Sequence, residues 1–261
     1  MGKIDDIQAY KEWTEYHRSL KRDKAADNLS PVERKKKLEK LEANVIEWIL
    51  FFFSEFAKYP FTKFHKKAIK RITTNMEWYE VLSWSRELAK STIVFMCMMY
   101  LVLTGKKKNV LLISNSHENA VRLLEPYKKA FESNSMLKAY YGDLREFGSW
   151  TADEFTLTTG ATFRAIGALE SPRGTRKDAV RPDTALVDDF DTDADCRNPD
   201  ILKKKWEWFE EALFPTRSIS EDLLVIFCGN LIALDCCVKR AGDKADHWDI
   251  VNIRDKDGKS S

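Results

Sequence analysis

The chain has 261 residues, 44% of them hydrophobic and 32% charged, with ten glycines and seven prolines. It can bury a sizeable core, and its composition excludes collagenous, low-complexity and wholly disordered proteins. The net charge is +2 and the longest apolar run, Ile93 to Leu103, has eleven residues, well short of the ~20 that a membrane-spanning helix needs.

Residues 1 to 75 hold 17 of the 43 Lys and Arg against 11 of the 41 Asp and Glu, so the basic bias is N-terminal. Such a bias can face a polyanion, although a charge run is more often a solvated helix face. The start, Met1 to Asp6, lacks the basic-then-apolar order of a signal peptide, and Gly2 has no Ser or Thr at position 6 for myristoylation. Five cysteines (97, 196, 228, 236 and 237) without CxxC spacing predict free thiols. The expectation is a soluble, intracellular protein with no membrane association.

Residues 1–58 are expected to form a helical N-terminal extension. Leu38, Leu41, Val45, Ile49 and Phe52 recur at helical spacing, and Ser30-Pro31 supplies an N-cap and first turn. The aromatic run Trp48 to Phe53 is expected to pack against the main domain.

From residue 59 to 261 short apolar runs alternate with longer helical ones, which predicts an α/β fold with a mainly parallel sheet flanked by helices. The strand candidates are Val81–Trp84, Val110–Ser114, Ala185–Val187 and Leu223–Phe227, with a hairpin formed by Phe155–Leu157 and Thr162–Ile166. Helices are expected over Lys90–Leu103 and His117–Phe131, and Leu202, Trp206, Phe209 and Leu213 fall on one helical face. The polar tail, Asp255 to Ser261, ends without a cap or final core element and reads as a cut edge.

The segment Ser85-Arg86-Glu87-Leu88-Ala89-Lys90-Ser91-Thr92 lies between a strand and an apolar helix, the context of a phosphate loop. There, backbone N–H groups converge on phosphates at a helix N-terminus, a Lys reaches the β and γ oxygens, and a hydroxyl holds Mg²⁺. Lys90 and Ser91 supply the last two, while Trp84 and Ala89 stand where that motif has glycines. A second piece is Thr184 to Asp189, a strand with carboxylates at its C-terminal edge. One carboxylate, Asp188, suits Mg²⁺, and its neighbour Asp189 suits orienting a water. The alternating acids 189, 191, 193 and 195 do not make a calcium loop, because the sixth and twelfth positions from Asp191 are Cys196 and Leu202. No His pairs with another His or Cys at zinc-ligand spacing.

With Arg86 to Ser91, then Val187-Asp188-Asp189, then Phe227-Cys228-Gly229-Asn230 in that order, roughly residues 60 to 258 resemble the large terminase subunit of tailed bacteriophages. The resemblance implies a P-loop ATPase of the RecA-like type that hydrolyses ATP with Mg²⁺ to drive double-stranded DNA into the capsid. It implies that Arg86, Glu87, Leu88, Ala89, Lys90, Ser91 and Thr92 bind nucleotide, that Ser91 and Asp188 hold Mg²⁺, and that Asp189 positions water, with Asp191 the nearest substitute. It further implies that Asn230 senses the γ-phosphate, that His65 lies where the family contacts adenine, and that Arg86 stabilises charge within the subunit. Arg173, with Arg176 as the alternative, corresponds to an arginine offered to the neighbouring subunit.

Implied partners are a homo-oligomeric ring, a pentamer, with the portal protein and a small terminase subunit. The implied place is the procapsid portal vertex in the host cytoplasm. The family's C-terminal nuclease domain is expected to be absent from residues 1–261. The rival readings are a helicase-like DNA ATPase and a nucleotide-binding module that does not hydrolyse.

Overall fold

The computed structural model describes residues 29–57, 59–171, 181–216 and 222–253. Seven strands make one sheet: β1 (Trp78–Trp84), β2 (Asn109–Ser114), β3 (Glu154–Thr156), β4 (Thr162–Gly167), β5 (Thr184–Asp188), β6 (Leu224–Cys228) and β7 (His247–Val251). Their order is β3-β4-β2-β5-β6-β1-β7, and every pairing is parallel except β3 with β4.

Parallel strands need crossover connections, and these cover both faces of the sheet. Alternate residues of each strand therefore enter two different cores. Leu82, Trp84, Val110, Leu112, Leu186, Leu224 and Ile226 face one, and Val81, Leu111, Ile113, Ala185, Val187, Val225 and Phe227 face the other. This is why the strands read as continuous apolar runs in the sequence.

The first core holds α1 (Pro31–Glu42), α2 (Val45–Phe52), α3 (Lys63–Thr74), α4 (Lys90–Leu103), α5 (His117–Ser133) and α6 (Ser135–Tyr141). The N-terminal helical segment divides after Ala43 because the Asn44 side chain accepts from the N–H groups of Ile46 and Glu47 and starts a new helix. Trp48 to Phe53 are buried in the same core as α4, with Phe53 against Phe95 and Trp48 against Tyr100. Trp48 donates Nε1–H to the Tyr141 hydroxyl at 2.8 Å, and that hydroxyl donates to Glu42 at 2.8 Å. The polar tips of this aromatic cluster are thereby satisfied.

The second core holds α7 (Asp193–Cys196), α8 (Pro199–Glu207) and α9 (Cys237–Lys244). Beyond α8 the chain continues as a wider π-turn segment, Trp208–Leu213, and Leu202, Trp206, Phe209 and Leu213 are all buried, as their spacing predicts. At the end of the sheet opposite the strands' C-termini, the buried Lys107 ammonium donates to the carbonyls of Met76, Asp183 and Asp222 at 2.9 to 3.0 Å. It ties together the segments leading into β1, β5 and β6. All five cysteines are free thiols. No described helix is long and apolar enough to cross a membrane.

Candidate nucleotide site

The strand order places β6 between β1 and β5, with Leu82, Cys228 and Asp188 abreast. The segments that leave these three strands at their C-terminal ends therefore converge on one side, where ligands of open α/β sheets sit. They line a cleft of about 680 Å³ containing Ser85 to Thr92, Asp189 to Asp193, Gly229 and Asn230. The three motifs singled out in the sequence are brought together here.

The loop from β1 to α4 is left-handed at two positions, neither of them glycine. Glu87 (φ 70°) and Ala89 (φ 57°, ψ 25°) are both left-handed, a conformation that costs a residue with a Cβ roughly 1–2 kcal/mol. Contacts from distant segments hold it. The Ser85 N–H donates to the Val251 carbonyl at 2.8 Å. His65 bonds the Leu88 carbonyl through Nε2 at 3.0 Å. A carbonyl only accepts, so Nε2 carries the proton, and Nδ1 is left to accept from the hydroxyl and N–H of Thr62 at 3.0 and 3.3 Å. Burial keeps the His65 imidazole below its ordinary pKa, consistent with this neutral form. His65 thus braces the loop from behind; it is not one of the residues lining the cleft, and both its ring nitrogens are engaged.

Asp188, the residue before Asp189, is buried at the end of β5. Its Oδ2 accepts from the Ser91 hydroxyl at 2.6 Å and its Oδ1 from the Asp189 N–H at 3.1 Å. Burial pushes the Asp188 carboxyl up to about 6, against the pull of Ser91. A hydroxyl and a carboxylate at this distance form a hard oxygen donor pair at a helix start, which fits Mg²⁺ rather than a softer metal. Another group of potential ligands among the described residues is Glu80, His247 and Asp249, and two of these three are already paired with an arginine. The Arg71 guanidinium pairs with Glu80 at 2.6 Å and with Asp249 at 2.7 Å.

Asp189 is exposed in the cleft and left-handed, at φ 46°. The turn that carries it is fixed by three residues for which the sequence gives no local signal, or a different one. Phe190 is buried among Trp208, Phe209 and Phe227. The buried Lys205 ammonium donates to the Phe190 carbonyl and pairs with Asp195 at 2.8 Å. Asp191 also lines the cleft, but its two carboxylate oxygens are engaged at the start of α9, accepting from the N–H groups of Cys237 and Val238 at 3.0 and 2.9 Å. It caps that helix, and the sequence-based expectation of Asp191 as a substitute for Asp189 has no geometric support. At the end of β6, a Cβ on Gly229 would stand 2.0 Å from Val238 Cγ2, so glycine is required for α9 to approach. Arg173 and Arg176 lie outside the described residues.

No protein-family model matches the chain, and no curated protein does. Among solved structures, the HK97 bacteriophage large terminase superposes over 84% of this chain with a TM-score of 0.55 at 14% identity. The fold is that of the superposed part of this large terminase. This chain spans 45% of the HK97 protein's length. A Thermus phage P74-26 large terminase ATPase domain aligns over 77% of this chain and 84% of that one, at 15% identity and a TM-score of 0.49.

Proposed function

We propose that the chain is the ATPase motor domain of a phage large terminase, which hydrolyses ATP to drive double-stranded DNA into a capsid. The observation that carries this reading is the left-handed, glycine-free loop that lines one cleft with Asp189 and Asn230, with Ser91 at the start of the next helix bonded to the buried Asp188. In this reading the backbone N–H groups from Arg86 to Ala89 cradle phosphate, Lys90 bonds the β and γ oxygens, and Ser91 and Asp188 hold Mg²⁺. Bound Mg²⁺ supplies neutralisation of charge on the phosphates.

Asp189, exposed toward the cleft, orients the attacking water, and Asn230 reads the γ-phosphate from the end of β6. Arg86, exposed at the cleft's edge, stabilises charge on the transferring group. An arginine from a neighbouring copy, Arg173 first and Arg176 second, completes the site. The proposed assembly is a pentameric ring at the procapsid portal vertex, in contact with the portal protein and a small terminase subunit.

The test is Mg²⁺-dependent phosphate release from ATP over a range of protein concentrations, for the wild type, Lys90→Ala and Asp189→Ala. Turnover should rise more than proportionally with concentration, because a finger supplied in trans is worth about 10³ to 10⁵ in rate, and it should vanish in both variants. A flat baseline shared by all three proteins refutes the proposal. Tight ATP binding without turnover would replace it with a nucleotide-binding module.

A further inference from the structure

Between Glu55 and Glu77 the sequence has six basic residues and no acidic one. Helix α3 lies in this stretch. Ala68, Ile69 and Ile72 bury one side of it, and Lys63, Lys66, Lys67 and Lys70 stand exposed on the other, at the i, i+3, i+4, i+7 spacing of a single face. None of these four makes an ion pair or side-chain hydrogen bond among the described residues. Some lysines elsewhere are paired, Lys203 with Glu207, Lys239 with Asp243 and Lys244 with Glu210.

The more conspicuous basic run, Arg34 to Lys37, is partly consumed by packing. Arg34 donates to the Ala139 carbonyl at 3.4 Å and lies over the Tyr140 ring, and Lys37 sits 4.6 Å from the centre of the Phe51 ring.

We propose that the lysine face of α3 is the surface on which this chain holds the phosphate backbone of double-stranded DNA. The proposal rests on the packaging-motor reading above. From Lys63 to Lys70 the face runs about 10 Å along the helix axis, a length over which a duplex carries about six phosphates. Four uncompensated ammonium groups on a rigid, core-packed helix match that line of charge without sequence preference, which is what a translocating motor requires. The same helix carries His65, whose bond to the Leu88 carbonyl joins it to the phosphate loop. The DNA surface and the nucleotide loop therefore share an element.

The test is the salt dependence of binding of the full chain to a short duplex of arbitrary sequence, over about 50 to 200 mM salt. Lys66→Glu with Lys70→Glu should make the slope of log K against log salt shallower by about 1.8, since each lost phosphate contact removes about 0.9. Lys129→Glu with Lys204→Glu changes the net charge equally at exposed positions of α5 and α8 and should leave the slope as in the wild type. An unchanged slope in the α3 variant, or an equal loss in both variants, overturns the surface assignment alone. A wild-type chain that binds no duplex even at the lowest salt overturns the packaging reading beneath it.

Discussion

Lys205→Met tests how the turn that presents Asp189 is held. The Lys205 side chain is 4% exposed; its ammonium bonds the Phe190 carbonyl and the Asp195 carboxylate, itself 19% exposed, and lies 4.5 Å from the centre of the Phe190 ring. Methionine keeps the apolar stem, so little cavity forms and the loss is mainly electrostatic. Breaking a buried ion pair from one side costs about 3–5 kcal/mol, and the partial exposure of Asp195 lowers this toward the bottom of the range. Orphaning the Phe190 carbonyl is included in that figure, at about 1–3 kcal/mol. The expected destabilisation is about 3 kcal/mol by urea unfolding without nucleotide, together with slower phosphate release as Asp189 loses its fixed position.

The deficit should also depend on pH. Burial pushes the Asp195 carboxyl up, but Lys205 and Thr192 prevail and hold it below its ordinary value. The pair's contribution is therefore fully present above the ordinary carboxylate pKa and is lost as pH falls through the lower folded value. The gap between wild type and variant should close in acid. A gap smaller than about 0.5 kcal/mol at neutral pH, the level of an ordinary surface change, would refute the clamp.

Two further outcomes follow from the cleft. Ala89→Gly should stabilise the chain by roughly 0.5–1 kcal/mol, because glycine removes the left-handed penalty and returns part of the gain as unfolded-state entropy; urea unfolding that shows the variant destabilised would contradict the loop conformation. Asp188→Asn should stabilise the Mg²⁺-free chain at pH 7.5 while abolishing ATP turnover. Raising this carboxyl from 3.8 to about 6 corresponds to about 3 kcal/mol; the asparagine Oδ1 still accepts from the Asp189 N–H, and about 1 kcal/mol is returned when the Ser91 hydroxyl loses its carboxylate acceptor. An acid whose folded pKa is raised becomes destabilising above its ordinary pKa and fully so above the folded one, so the advantage of Asp188→Asn should shrink by about 1.4 kcal/mol between pH 7.5 and pH 5. A constant difference across that range would show that Asp188 is not desolvated.

Much of the architecture was legible in the residue order. Val110 to Ser114 and Thr184 to Val187 read as strands because both faces of a parallel strand are buried, which leaves an unbroken apolar run. Helix α4 begins at Lys90, as the switch from strand to helical pattern predicts, and Lys90, Ser91 and Asp188 converge because strand ends are where this topology opens. A local chemical pattern and a general rule of sheets were sufficient for these.

What the linear pattern could not carry were the contacts that give those residues their conformation. By glycine rules the loop from β1 to α4 is a poor match to a phosphate-loop motif, yet Glu87 and Ala89 turn left-handed with His65 and Val251 bonded to the loop's backbone. Asp191 offers the same carboxylate chemistry as Asp189 in sequence, and only the approach of α9, 46 residues further on, makes one a helix cap and leaves the other facing the cleft. Lys205 reads as one of three consecutive lysines, and the turn it clamps lies 15 residues away. Residue type and local period determine which elements form. Which equivalent side chain is spent on structure, and which stays free for chemistry, depends on desolvation and hydrogen bonding between distant segments, and those are settled only when the sheet is assembled.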